Sequence, residues 1–134
     1  MIKNAVRTLP IPRRKESDLK CAIAAYLRTR PDVVIGANVR GAARSTYKGK
    51  RRYVPYGLRI TGASDFIGWK RDTYWHVQIG KYFRPRFLAI ETKAKGKKPT
   101  AEQQWFLDMV RADGGIGILA YSVEDGRRGL DDGR

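Results

Sequence analysis

Cysteine and histidine are nearly missing from this 134-residue sequence, and acidic residues are scarce. Cys21 is the single cysteine, which excludes a disulfide framework and a cysteine-based zinc site. His76 is the single histidine, so no centre built on two or more imidazoles is available. No apolar run approaches the ~18 residues of a membrane-spanning helix. Pro10 and Pro12, followed by Arg13, Arg14 and Lys15, interrupt the N-terminal stretch, so no secretory signal is expected and the protein is read as cytoplasmic. Asp and Glu total 13 against 28 Lys and Arg, a net charge of +15. A domain this small with an isoelectric point near 10.4 repels itself unless a polyanion is nearby. Nucleic acid is the first partner this implies. An anionic membrane surface is a distant second, because no basic amphipathic helix is present and no membrane partner is expected.

What is present suffices for one globular domain: 42% of residues are hydrophobic, and the length leaves no room for a second core. Residues 1–15 read as a basic lead-in, 16–122 as the core and 123–134, rich in Gly, Asp and Arg, as a tail. Leu19, Ile23, Tyr26 and Leu27 recur at helical spacing over residues 16–30, and Pro31 stops the helix. Cys21 is expected to be a small core residue of that helix. Val33, Val34 and Ile35 begin a strand. Residues 40–59 hold Arg40, Arg44, Lys48, Lys50, Arg51, Arg52 and Arg59 with no acid, and read as a mobile basic loop or hairpin that contacts nucleic acid. Short strands are expected over 64–69, 87–93 and 116–121, with an extra strand near 74–79. A helix over 101–112 places Trp105, Phe106, Met109 and Val110 on its apolar side. The order α-β-β-β-α-β implies an α/β fold with a mixed sheet flanked by helices.

Three features sit awkwardly in that pattern. On a helix at 100° per residue, Leu19, Ile23 and Leu27 lie roughly −60°, −20° and +20° from Glu16, which puts this acid on the axis of the apolar stripe. An acid in a first helical turn is also favoured by the helix dipole alone. Asp65 lies at a strand entry and shares a face with Ile67 and Trp69. Glu91 and Lys93 project from one face of a hydrophobic strand, behind Phe87 and Ala89. A strand that turns charged only at its end points to a site at the rim of the sheet. Asp65 and Glu91 are hard oxygen ligands suited to Mg²⁺ or Mn²⁺, with Glu16 able to complete the shell. Such a metal lowers the pKa of a bound water and polarises a phosphate, and Lys93 can orient that water and balance charge.

Asp … Glu-x-Lys is the signature of the PD-(D/E)XK nuclease superfamily. The ordered set is more specific. Gly62-Ala63-Ser64-Asp65-Phe66-Ile67, then Phe87-Leu88-Ala89-Ile90-Glu91-Thr92-Lys93, then Lys98-Pro99-Thr100-Ala101-Glu102-Gln103-Gln104-Trp105-Phe106, then Gly114-Gly115, resembles the VRR-NUC family, most of all its short standalone members common in phages. The resemblance spans roughly residues 16–122. It implies a restriction-endonuclease-like core, hydrolysis of phosphodiester bonds with Mg²⁺ or Mn²⁺, and a frequently dimeric form acting on branched DNA such as four-way junctions. It implies Asp65 and Glu91 as metal ligands, Lys93 as catalytic lysine, Glu16 as the helix acid and Gln103 as the motif glutamine. Ser64 departs from the superfamily's proline, and residues 70–86 form a long insert between the two catalytic strands.

Thr100 and Gln103 also form a capping box, which explains both without chemistry. Lys95, Lys97 and Lys98 lie in a basic turn after the motif and extend the expected DNA contact. A non-catalytic nucleic-acid-binding module on a degenerate nuclease fold fits the charge equally well. The two acids discriminate, since without a metal they would repel phosphate. The insert carries Tyr74, Trp75, Val77, Ile79, Tyr82 and Phe83, expected either to form a homodimer interface or to cover the sheet of one subunit.

Overall fold

In a computed structural model, which describes residues 15–39 and 41–133, the first helix follows its apolar period. Helix α1 (Glu16–Leu27) buries Leu19, Ile23 and Leu27. Residues 1–14 of the expected lead-in, Arg40 and Arg134 lie outside the described residues. Strand β1 (Val33–Ala37) follows, then β2 (Gly41–Tyr47), β3 (Lys50–Tyr56), β4 (Phe66–His76), β5 (Gly80–Thr92), α2 (Ala101–Ala112), β6 (Ile116–Ala120) and α3 (Val123–Asp132).

The main sheet has the order β1-β4-β5-β6 and is mixed. β1 and β5 each pair antiparallel with β4, whereas β6 runs parallel to β5. A parallel neighbour requires a crossover, and α2 supplies it across one face. Ala63, Ala89, Phe106, Leu107 and Val110 form the core on that face. On the other face α1 and α3 close over Phe66, Leu88, Ile90, Ile116 and Ile118. The last five residues of β5 are therefore buried on both sides, and Glu91 is among them.

The basic segment is a hairpin: β2 and β3 form their own two-stranded sheet. Lys48 and Gly49 connect them with positive φ angles of 48° and 72°, the pair of left-handed residues that a two-residue hairpin turn needs. The insert does not add a separate strand. It lengthens β4 and β5 into one antiparallel ribbon, paired from Phe66↔Ile90 out to His76↔Gly80.

Three expectations are corrected. The C-terminal segment expected as a tail is α3, whose Leu130 is fully buried. Its glycines lower helix propensity yet serve packing: a Cβ at Gly129 would lie 2.6 Å from the Ile118 side chain. Ser122 caps the helix by accepting from the Asp125 backbone N–H at 3.1 Å, and Arg30 ties α3 to the end of α1 by pairing with Asp131 at 2.7 Å. Cys21 is exposed rather than a core residue, because the buried stripe of α1 runs through Leu19, Ile23 and Leu27. On α2, Phe106, Leu107 and Val110 are buried, while Trp105 and Met109 turn to the surface.

If α3 is part of the core, Leu130→Ala should remove about 3 kcal/mol of stability by opening a cavity. Urea unfolding of the two proteins measures this, and a change under about 0.5 kcal/mol would show that α3 adds nothing to the core.

Candidate active site

β4 begins, β5 ends, and α1 and α2 both start near one end of the main sheet, so residues distant in sequence meet there. Asp65 precedes β4 in a loop set by three contacts. The Asn38 backbone N–H donates to the Asp65 carbonyl at 2.6 Å, and the Asn38 side chain donates to the Ser64 carbonyl at 3.1 Å. The same side chain accepts from the Leu58 N–H at 2.9 Å, which ties the base of the β2–β3 hairpin to this loop. The third contact is at Gly62, with φ of +81°, in a turn closed by the Ala63 N–H and the Ile60 carbonyl at 3.0 Å. A Cβ there would come within 2.3 Å of the Glu102 backbone, so only glycine lets the loop seat against the start of α2.

The Asp65 carboxylate is held from both sides. Its Oδ2 accepts from the Thr92 backbone N–H at 2.9 Å and from the Thr92 hydroxyl at 2.6 Å. Its Oδ1 lies 3.0 Å from the Lys20 ammonium, which is also 3.3 Å from Glu16 Oε1. Burial works against the charge of Lys20, but its bonds to Asp65 and Glu16 outweigh this and hold its pKa above the ordinary value.

Glu91 lies deeper, with 3% of its side chain exposed. The Gln103 Nε2 donates to Glu91 Oε1 at 2.6 Å, and the Lys93 ammonium is 3.7 Å from the same oxygen. The other end of the Gln103 carboxamide accepts from the Thr100 backbone N–H at 2.9 Å, while the Thr100 hydroxyl accepts from the Gln103 N–H at 3.2 Å. Gln103 thus completes the capping box and grips Glu91 at once. Its two jobs demand opposite polarities, an acceptor for the cap and a donor for the carboxylate, and one amide supplies both.

Burial, reinforced by the nearby Asp65 charge, pushes the Glu91 pKa up from 4.5 to about 7, while Lys93 and Lys20 pull it down. Lys93 and Lys20 therefore offset only part of what burial costs the Glu91 charge. Among the described residues no group of three or more His, Cys, Asp or Glu side chains converges. Glu16 does not join Asp65 and Glu91 directly; it connects to Asp65 through Lys20. Of the sequence-predicted residues, Asp65, Glu91, Lys93 and Gln103 come together, and Glu16 stands one side chain away.

Arg44, Lys48, Lys50, Arg51 and Arg52 are exposed on the hairpin rooted at Asn38, and Lys95, Lys97 and Lys98 are exposed on the turn that follows Lys93. Two residues escaped sequence reasoning. Lys20 was legible as an i,i+4 partner of Glu16, but its reach to Asp65 was not. Asn38 carries no local signal, because its partners lie 20 and 26 residues away. No protein-family model matches the chain, and no curated protein or solved structure matches it significantly.

The raised Glu91 pKa has a definite sign in stability. Between pH 4.5 and about 7 the folded protein holds a proton that the unfolded chain releases, so stability falls as pH rises through that window and levels off above it. In EDTA, Glu91→Gln should therefore be more stable than the parent at pH 8, by about 3 kcal/mol, and the gain should vanish near pH 4.5. Thermal melts of both proteins across that range measure it; a gain independent of pH would refute the buried charge as its source.

Proposed function

We propose that this chain is a small divalent-metal-dependent DNA endonuclease with a restriction-endonuclease-like core, of the VRR-NUC type. The observation that carries the reading is the convergence of Asp65, Glu91, Lys93 and Gln103 at one end of a mixed sheet, with Glu91 buried and undercompensated. A purely binding surface for phosphate would gain nothing from an acid pair with one member buried.

The donor set fits Mg²⁺ or Mn²⁺. Both cations are commonly held by one or two carboxylates, with waters and substrate phosphate filling the rest, and here Asp65 is near enough to Glu91 for its charge to act on it, with no third acid, His or Cys converging among the described residues. Asp65 and Glu91 would hold the ion. When bound, it would activate a water and stabilise charge on the scissile phosphate. The chain's own residues prepare for this. Thr92 fixes the orientation of Asp65, and Gln103 fixes that of Glu91. Lys93 keeps a cation beside Glu91, where it can meet a phosphate oxygen. Lys20 bridges Glu16 and Asp65, so it neutralises part of the acid cluster before substrate arrives.

The exposed cations supply the field for a phosphate backbone. Arg44, Lys48, Lys50, Arg51 and Arg52 stand on a hairpin anchored to the Asp65 loop, and Lys95, Lys97 and Lys98 flank Lys93. Branched DNA, such as a four-way junction, is the proposed substrate. Symmetric incision of such a junction needs two sites related by a two-fold axis, hence a homodimer.

Cleavage of labelled linear and branched DNAs with Mg²⁺ or Mn²⁺ at moderate salt tests the reading. Asp65→Asn and Glu91→Gln should each lower cleavage by at least about a hundredfold, a few kcal/mol of barrier, while DNA binding persists. Retained cleavage in either variant, or none in the parent, would overturn the assignment.

Charge reversal at Lys50, Arg51 and Arg52 together should weaken binding to every DNA shape and flatten the salt dependence by about one unit of log–log slope per lost phosphate contact. An unchanged slope would show that the hairpin does not touch the backbone.

A further inference from the structure

The ribbon formed by the outer halves of β4 and β5 has two chemically different faces. Residues directly opposite each other share a face, so Lys70, Asp72, Tyr74, Arg86, Arg84 and Tyr82 lie together. That face is internally satisfied. Lys70 and Arg86 pair with Asp72 at 2.7 and 3.3 Å, and Tyr74 stacks on Tyr82 at 5.5 Å with the Arg84 guanidinium over both rings. Arg86 also donates to the carbonyls of Gly114, Gly115 and Gly133 at 3.0, 3.3 and 3.1 Å. These bonds pin the base of the ribbon to the α2–β6 turn and the end of α3. From that anchor the strands run on by about 20 Å.

The opposite face carries Trp69, Phe87, Arg71, Phe83, Trp75 and Lys81, and every one of them is exposed. Trp75 is 78% and Phe83 54% accessible. The sheet is therefore not covered by the insert's own aromatics. Arg71 and Lys81 both sit 5.5 Å from the Phe83 ring centre. From Trp69 and Phe87 outward no carboxylate belongs to this face, since Asp72, the ribbon's acid, is bound on the other side.

We infer that this face is a stacking platform for unpaired nucleotides. Flat rings alternating with cations match a strand whose bases are free and whose backbone is anionic: rings take base faces, and Arg71 and Lys81 take phosphates. A duplex keeps its base faces stacked inside and offers the rings little. A second copy fits worse, because a two-fold contact brings two copies of the same cationic patch together with no acid between them, in a chain of net charge +15. The inference rests on the nucleic-acid reading above and narrows it: the preferred substrate carries an unpaired segment that the ribbon holds away from the cleavage site.

The test is equilibrium binding in EDTA, where no cleavage occurs. Labelled oligothymidylate and a duplex are titrated against the full chain and against Trp75→Ala/Phe83→Ala, whose exposed sites leave folding intact by thermal melt. The double variant should lose about tenfold or more on oligothymidylate and change little on duplex. In Trp69→Phe/Trp105→Phe, which leaves Trp75 as the sole tryptophan, oligothymidylate should quench fluorescence and duplex should not. Equal losses on both DNAs, or no quenching, would overturn the inference. So would a dimeric mass by light scattering that falls to a monomer in Trp75→Ala/Phe83→Ala, because a second copy would then cover the face. If cleavage of DNA persists while these signals fail, the ribbon assignment falls and the nuclease reading stands. If the signals appear and no DNA is ever cut, the reverse holds.

Discussion

A carboxylate buried at the end of a strand covered from both sides is the constraint around which this protein is arranged. Glu91 follows Leu88, Ala89 and Ile90 into the layer between α2 and the α1–α3 pair, where the other buried side chains are apolar except those of Ser64 and Thr92. An acid there costs free energy unless its oxygens are met. The contacts that meet it are those that organise the site: Gln103 from the first turn of α2, Lys93 two residues on, and Asp65 from the loop before β4, whose negative charge worsens the strain. The residual imbalance holds the Glu91 pKa up at about 7; in the proposed reading a divalent cation would relieve it.

Positive charge is distributed to complement that acid pair at three ranges. Lys20 and Lys93 touch the carboxylates themselves. The hairpin, tied by its base to the Asp65 loop, and the turn after Lys93 carry exposed cations. The ribbon carries cations against aromatic rings far from the carboxylates. In the proposed reading these correspond to the reacting phosphate, the flanking backbone and an unpaired segment. A single net charge of +15 does not distinguish such roles; the anchoring of each element does. Asn38 ties the hairpin to the Asp65 loop, and Arg86 ties the ribbon to the far end of α2.

Elements with strong local signals were legible. The 3.6-residue stripe of Leu19, Ile23 and Leu27 announced α1, the capping pair Thr100 and Gln103 announced α2, and the apolar run from Phe87 announced the buried end of β5. Where local signals conflicted with packing, sequence reasoning failed. The glycines of the last helix argued for a tail because intrinsic propensity counts against them, yet Gly129 is required by the close approach of Ile118. The ribbon's alternation was visible as aromatic richness, but its continuous pairing was hidden, because one extra strand and two lengthened strands share the same period.

The sequence by itself determined the class of chemistry available. With one cysteine and one histidine, it excluded a disulfide framework and any centre built on two or more imidazoles, and it carried a net charge of +15. It also put Glu91 and Lys93 on one side of the chain, since period-two alternation is local geometry, and Lys93, one residue past the end of β5, does lie 3.7 Å from Glu91. Only the tertiary structure decided that Gln103 reaches Glu91, that Lys20 bridges Glu16 and Asp65, and that Asn38 holds the loop between them. Those contacts join residues across helices and strands. Their existence depends on how two helical layers close over the sheet, which is fixed by the summed burial of many side chains and leaves no mark at the positions that meet.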